Sequence, residues 1–273
     1  MSQTFHIRPA SEQPLLDLRE LWQYRHLLRV LVWRTLRVRY RQMAIGVGWA
    51  ILQPTLLAII FTVIFGHFAS MPTNGQPYPL FVLSGLFIWL FVSQAFSQAS
   101  QAIISNPHLI TKIYFPRVIL VLAVMIATLI DFLCAFLLLV LLMVWYRSAP
   151  SIGALFFLPM IALAVLTVLG LSLWASALSV RYRDITNLVP FVLLLWMFLS
   201  PIIYPSNLLP ERYSFLYALN PLVAVIDTAR WAFAGGQPPA AAMVAVSWAV
   251  ALFLCITGLW YFRRQEATFA DIV

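Results

Sequence analysis

The chain is poor in charge and in lysine. Only 10% of its 273 residues are Asp, Glu, Lys or Arg, against about a quarter in soluble domains. With 63% hydrophobic residues and a mean hydropathy of +0.91, this excludes a water-soluble domain. Lys112 is the only lysine and is followed by Ile113. No Gly-x-x-x-x-Gly-Lys-Ser/Thr loop is therefore possible, and the chain has no phosphate cradle for ATP of its own. The two cysteines, Cys134 and Cys255, lie in apolar runs, which excludes a disulfide or thiolate-metal framework. His6, His26, His67 and His108 are scattered and have no metal-site spacing. No cluster of catalytic groups stands out, so the chain reads as a non-enzyme that binds no cofactor or metal itself.

What the chain has is long apolar runs. A hydrocarbon core of about 30 Å takes roughly 20 residues per helix, leaving room for about six spans. We place them at about 45–68, 80–104, 118–145, 154–178, 188–203 and 240–262, which makes the chain an all-α membrane protein. The 206–238 segment is apolar but broken by Pro210, Asn220-Pro221 and Gly235-Gly236. It reads as a re-entrant or external interfacial pair of short helices, because irregular backbone is not tolerated against lipid. Residues 1–44 are a polar, arginine-rich segment without the pattern of a cleaved leader. Within them, 15–42 reads as an amphipathic helix lying on the membrane surface. Arg19, Arg34, Arg37 and Arg41 share one side of the wheel, and Leu21, Leu28, Val32 and Leu36 the other. Arg25, Arg29 and Arg39 break the stripe and would have to snorkel. Residues 263–273 form a short tail.

The net charge of +8 sits beside the apolar runs, where it suits anionic lipid rather than nucleic acid. All Lys and Arg except Arg147, Arg212 and Arg230 fall on one side of this six-span topology, so both termini are expected in the cytoplasm. No internal repeat relates the halves, which argues against an inverted-repeat carrier.

Three features invite function. Asn106 to Arg117 is a polar island between two spans. The second span carries Gln94, Gln98 and Gln101 on one face; with Gln53 and the aromatic rings of Trp49, Phe87 and Trp89 they either line a solute path or hold helices together. Asp131 is an acid inside the third span, costing about 2.5–3.5 kcal/mol on an insertion scale, so it should face the interior with a partner. It is either a proton relay or an interhelical hydrogen bond. Asp227 and Arg230, three apart, read as a surface pair.

Six stretches in order carry a resemblance. They are Val32-Trp-Arg-Thr-Leu-Arg-Val-Arg-Tyr-Arg-Gln42, Gly46-Val-Gly-Trp-Ala-Ile-Leu-Gln-Pro54, Asn106 to Arg117, Arg181-Tyr-Arg-Asp-Ile185, Ser200-Pro-Ile-Ile-Tyr-Pro205, and Asn220-Pro221 with Asp227 and Arg230. Together, over about residues 20–262, they resemble the membrane subunit of ABC-2 type exporters of lipid-linked O-antigen, capsular polysaccharide or teichoic acid. The resemblance implies a six-span permease in the bacterial cytoplasmic (inner) membrane. It implies a homodimer joined by two ATPase subunits that bind ATP and Mg, with substrate leaving through a pore at the dimer axis. It also implies that Asn106, Leu109, Lys112, Phe115, Pro116 and Arg117, with Arg181, Arg183 and Asp184, contact the ATPase, and that the segment after Tyr204 caps the pore outside. The alternatives are an ABC-2 exporter of drugs or small lipids, and a proton-coupled carrier built on Asp131.

Overall fold

A computed structural model describes residues 18–41, 46–73, 75–208 and 210–269, and among them every regular element is helical. The chain opens with α1 (Leu18–Gln23) and α2 (Arg25–Arg41). Next come α3 (Trp49–Phe61), which runs on as a π-helix over Thr62–Phe68, and α4 (Tyr78–Ala99). A short α5 (Pro107–Lys112) leads into α6 (Val118–Trp145), α7 (Ala154–Arg181) and α8 (Ile185–Phe198). The chain closes with α9 (Ser214–Ala218), α10 (Pro221–Phe233) and α11 (Ala241–Glu266).

Five helical stretches are long and apolar enough to cross a membrane: Trp49–Phe68, α4, α6, α7 and α11. The expected fifth span at 188–203 is instead α8, only 14 residues long. At 1.5 Å per residue it covers about 21 Å, less than a hydrocarbon core. Pro54 sits within α3, and the backbone rewinds later, at Thr62.

Helix α4 is the axis of the bundle. Every residue from Leu80 to Val92 is buried, because α3, α6, α7, α8 and α10 all pack around it. At its middle Phe87 stacks on Phe132 and meets Phe136 and Phe157, with ring centroids 5.2–5.9 Å apart. Helices α7 and α11 approach most closely at Gly170 and Gly258. A Cβ added to Gly170 would lie 2.5 Å from the Leu254 carbonyl carbon, and one on Gly258 would run into the Gly170 carbonyl oxygen. Small residues let backbones meet this way where lipid gives no hydrophobic drive. Gly170→Leu should therefore destabilise the bundle by about 1–3 kcal/mol through overpacking, visible as a lower melting temperature of the purified chain.

Within the 206–238 segment the two parts differ: most described residues of 206–219 are exposed, whereas α10 is buried in protein. All of α10 except Trp231 is buried, against α4, α7 and α11. Asn220 makes this possible. Its Oδ1 accepts from Leu222 N (3.2 Å), capping α10 ahead of Pro221, and also from Trp196 Nε1 (2.9 Å) on α8. A polar cap and a proline at the first helical position are a strong start signal. The same amide thus ties the beginning of α10 to α8.

Asp227 and Arg230 are not on the surface, correcting the sequence reading. Arg230 is 5% exposed, lies 3.8 Å over the Phe81 ring, and donates to Ile202 O (2.9 Å) and Tyr204 O (3.2 Å). Asp227 lies 3.8 Å from its guanidinium. Helix spacing predicted the pair. It carried no signal that Phe81 and the 202–204 turn close over it.

Candidate functional site: one end of the bundle and the polar cavity above it

Four tertiary links gather the distinctive polar segments at one end. Ser179 Oγ donates to Ser100 O (2.9 Å), bringing the end of α7 to the end of α4. Arg117 donates through its backbone N–H to Glu266 Oε1 (2.7 Å) and through its guanidinium to Glu266 O, bringing the start of α6 to the end of α11. Tyr24 reaches Tyr114 O (3.4 Å), and Arg34 donates to Asn106 Oδ1 (3.0 Å), bringing in α2. The island at 106–117 and the turn at 181–184 therefore share an end with the N-terminal helices and the end of α11.

Within the island the residues divide in two. His108, Thr111, Lys112, Ile113 and Tyr114 are exposed on and just after α5, where Pro107 starts the helix and extended Ile113 stops it. Phe115, expected on the docking surface, is 5% exposed, and Pro116 is buried with it. This corrects the assignment of both: they anchor the loop in the core, because an aromatic ring recovers more by burial than by standing in water. Asn106 is held by Arg34 and donates to Ala102 O (2.8 Å). Arg117 is occupied by Glu266 and faces the Phe269 ring at 5.8 Å. Leu109 is half-buried. Of the residues named from sequence, Lys112, Arg181, Arg183 and Asp184 are exposed and so open to a partner.

Beside this end lies a cavity of about 570 Å³ between α2, α3, α4 and α6, lined by Trp49, Gln53, Phe87, Gln94, Gln98 and Asp131 among others. Gln94 Nε2 reaches Gln53 Oε1 at 3.4 Å. Two residues expected with them are elsewhere. Gln101 lies past the end of α4, where turns run from Ser100 to Ser105, so helical spacing no longer carries it to the same face. Trp89 is buried and packs edge-on against Trp196, centroids 6.1 Å apart. Phe87 borders the cavity, but its ring is 0% exposed.

Asp131 is the polar centre of the cavity. Its carboxylate is ion-paired with Arg39 and accepts a hydrogen bond from Tyr40 Oη; Arg39 also donates to Gln98 Oε1. Burial, followed by the carboxylate, holds the Tyr40 phenol above its ordinary range, so it remains a donor at neutral pH. Thirteen residues separate Asp131 from Val118, about 20 Å along α6. Helix α2 therefore runs beside α6 for much of its length, from Tyr24 near the island to Tyr40 at Asp131. Arg39, which seemed misplaced on the apolar side of the wheel, is the partner the buried acid required. Opposite charge three or four residues from each other would have been visible in sequence; this pair is 92 positions apart.

Residues 26–234 match the family described as ABC-2 type transporter. The chain belongs to that family. Among curated proteins it is 32% identical to the O-antigen export system permease protein RfbA of Myxococcus xanthus, over 91% of this chain and 96% of that one. It is 29% identical to the protein of the same name from Klebsiella pneumoniae, over 90% and 95%. It is 25% identical to the polysialic acid transport protein KpsM of Escherichia coli, over 88% and 93%. In this member of the ABC-2 type transporter family, the island and the 181–184 turn lie at one end of a bundle of apolar helices.

Proposed function

We propose that this chain is the permease subunit of an ATP-driven exporter that moves a lipid-linked polysaccharide across a bacterial cytoplasmic membrane. The observation that carries the cargo class is the near full-length similarity to permeases named for O-antigen export and polysialic acid transport. In this reading α8 completes a sixth crossing together with the turns that follow it, and both termini are cytoplasmic. Residues 1–44 form the arginine-rich cytoplasmic-side segment, 45–262 the transmembrane domain and 263–273 the tail. The exposed apolar faces of α3 (Ile51, Ile59, Ile60) and α8 (Phe191, Leu195, Phe198) meet lipid or a second copy in a homodimer.

ATP and Mg are held by a separate ATPase subunit that docks at the island end. Lys112, with its exposed neighbours, and the Arg181–Asp184 turn meet it, while Phe115, Pro116 and Arg117 transmit its movement into α4, α6 and α11. A short helix pinned at both ends in the core converts displacement of the partner into displacement of spans. Trp49, Gln53, Gln94 and Gln98 offer amide and ring surface toward the cargo's path. The small-molecule ABC-2 reading remains the second choice, since the family alone permits it.

Reversing charge with Arg181→Glu and Arg183→Glu tests the docking arrangement. Both side chains are exposed, so folding should be unchanged. ATP hydrolysis by the assembled exporter should persist while export falls at least about tenfold, the scale set by losing a pair of close charge contacts. Export at the unaltered rate would remove this turn from the interface.

A further inference from the structure

The face of α2 turned away from the polar cavity is built with unusual regularity. Arg25, Arg29, Trp33, Arg37 and Arg41 follow one another at intervals of four, a single ridge along the helix, and all are exposed. Leu28, Val32 and Leu36 repeat the interval beside them, and Ile126, Ile130 and Cys134 repeat it on α6. The two ridges are the walls of a groove of about 860 Å³, with the leucine and valine row as its floor. Arg25 is partly engaged, donating to Trp22 O at 3.1 Å. Among the described residues no carboxylate lies within ion-pair distance of Arg29, Arg37 or Arg41, and no acid lines the groove.

We propose that this groove holds one anionic bilayer phospholipid, its phosphate between Arg37 and Arg41, one helical turn apart, and its acyl chains along Val32, Leu36, Ile126 and Ile130. Charge complementarity selects the occupant. Arg37 and Arg41, two guanidiniums without acids about 6 Å apart along the helix, form a site for a phosphate, to which they can donate in bidentate fashion, and Arg29 adds positive charge two turns away. The apolar floor beneath them suits hydrocarbon and offers a sugar nothing to bond. Bound there, the lipid wedges α2 against α6 and so steadies the helix that delivers Arg39 to Asp131. The inference rests on the chain being membrane-embedded, not on the identity of its cargo. A negative result would leave the export reading standing.

The full-length chain, purified in mild detergent and stripped of lipid, is titrated with phosphatidylglycerol or phosphatidylcholine and followed by native mass spectrometry. Basic residues near a membrane surface contribute about fivefold each to anionic-lipid binding. One phosphatidylglycerol should therefore bind at least about tenfold more tightly than phosphatidylcholine. Arg29→Gln/Arg37→Gln/Arg41→Gln should abolish the preference, and the corresponding triple Lys variant should keep most of it. Ile130→Trp, which narrows the groove from its α6 wall, should weaken binding with the arginines intact. In the unaltered chain, phosphatidylglycerol should also slow maleimide labelling of Cys134, a readout that needs no variant. Equal affinity for the two lipids, or unchanged labelling, would overturn the proposal. So would full displacement of phosphatidylglycerol by a polyprenyl diphosphate, which would make the groove a cargo site.

Discussion

Asp131→Ala is expected to cost about 3–5 kcal/mol, because it leaves the Arg39 guanidinium largely buried without its counter-charge. The loss should appear as a collapse in the yield and melting temperature of the purified chain. Arg39→Ala should cost a similar amount from the other side, leaving the carboxylate with Tyr40 alone. The double change Arg39→Leu/Asp131→Leu should recover most of the loss, since replacing both members of a buried pair by apolar groups is often close to neutral. That recovery separates an interhelical tie from a proton relay. Asp131→Asn sharpens the distinction: an amide oxygen still accepts from Arg39 and Tyr40, so an exporter should lose little of its rate. A carrier that moves protons through this acid would stop altogether.

Arg230→Ala should be nearly as damaging. The side chain spans three elements at once: its guanidinium covers Phe81 on α4, satisfies Ile202 O and Tyr204 O in the turn after α8, and balances Asp227 on α10. Removing it orphans two carbonyl oxygens and a buried carboxylate together. Each unsatisfied buried group costs about 1–3 kcal/mol and the charged one more, so a loss of about 4 kcal/mol is expected. The predicted signature is local as well as global, with protease cleavage opening between about residues 199 and 220 before the rest of the bundle yields. Arg230→Lys should rescue part of the loss, because an ammonium can bond one carbonyl but cannot reproduce the planar stack on Phe81. A fully stable Arg230→Ala chain would mean that the turn is held by something else.

How much was legible beforehand depended on whether the deciding partner was near in sequence. The third span was placed at 118–145 and forms over Val118–Trp145, because a continuous apolar run with clear polar ends determines a helix locally. The ordered motifs also led to the family in which the chain falls. Of the three glutamines set on one face of the second span, Gln94 and Gln98 line the cavity while Gln101 lies past the end of α4, since periodicity cannot say where a helix stops. Phe115 was placed on the docking surface as part of an island that the family resemblance assigns to the ATPase contact. Its burial comes from joining the bundle-wide hydrophobic core, which residues distant in sequence build. Arg39 and Arg230 are the clearest limits. The wheel set Arg39 off the polar stripe with no partner in view, and spacing made Arg230 a surface charge; both have partners brought together only by tertiary packing.

The central claim is that this chain supplies a path and a docking end but no motor. The most direct test reconstitutes it into proteoliposomes with and without its ATPase partner and follows movement of a lipid-linked polysaccharide across the membrane. Movement should occur only when the partner and ATP are both present and should cease when the partner's hydrolysis is blocked. Translocation by this chain alone, at the same rate without nucleotide, would contradict it.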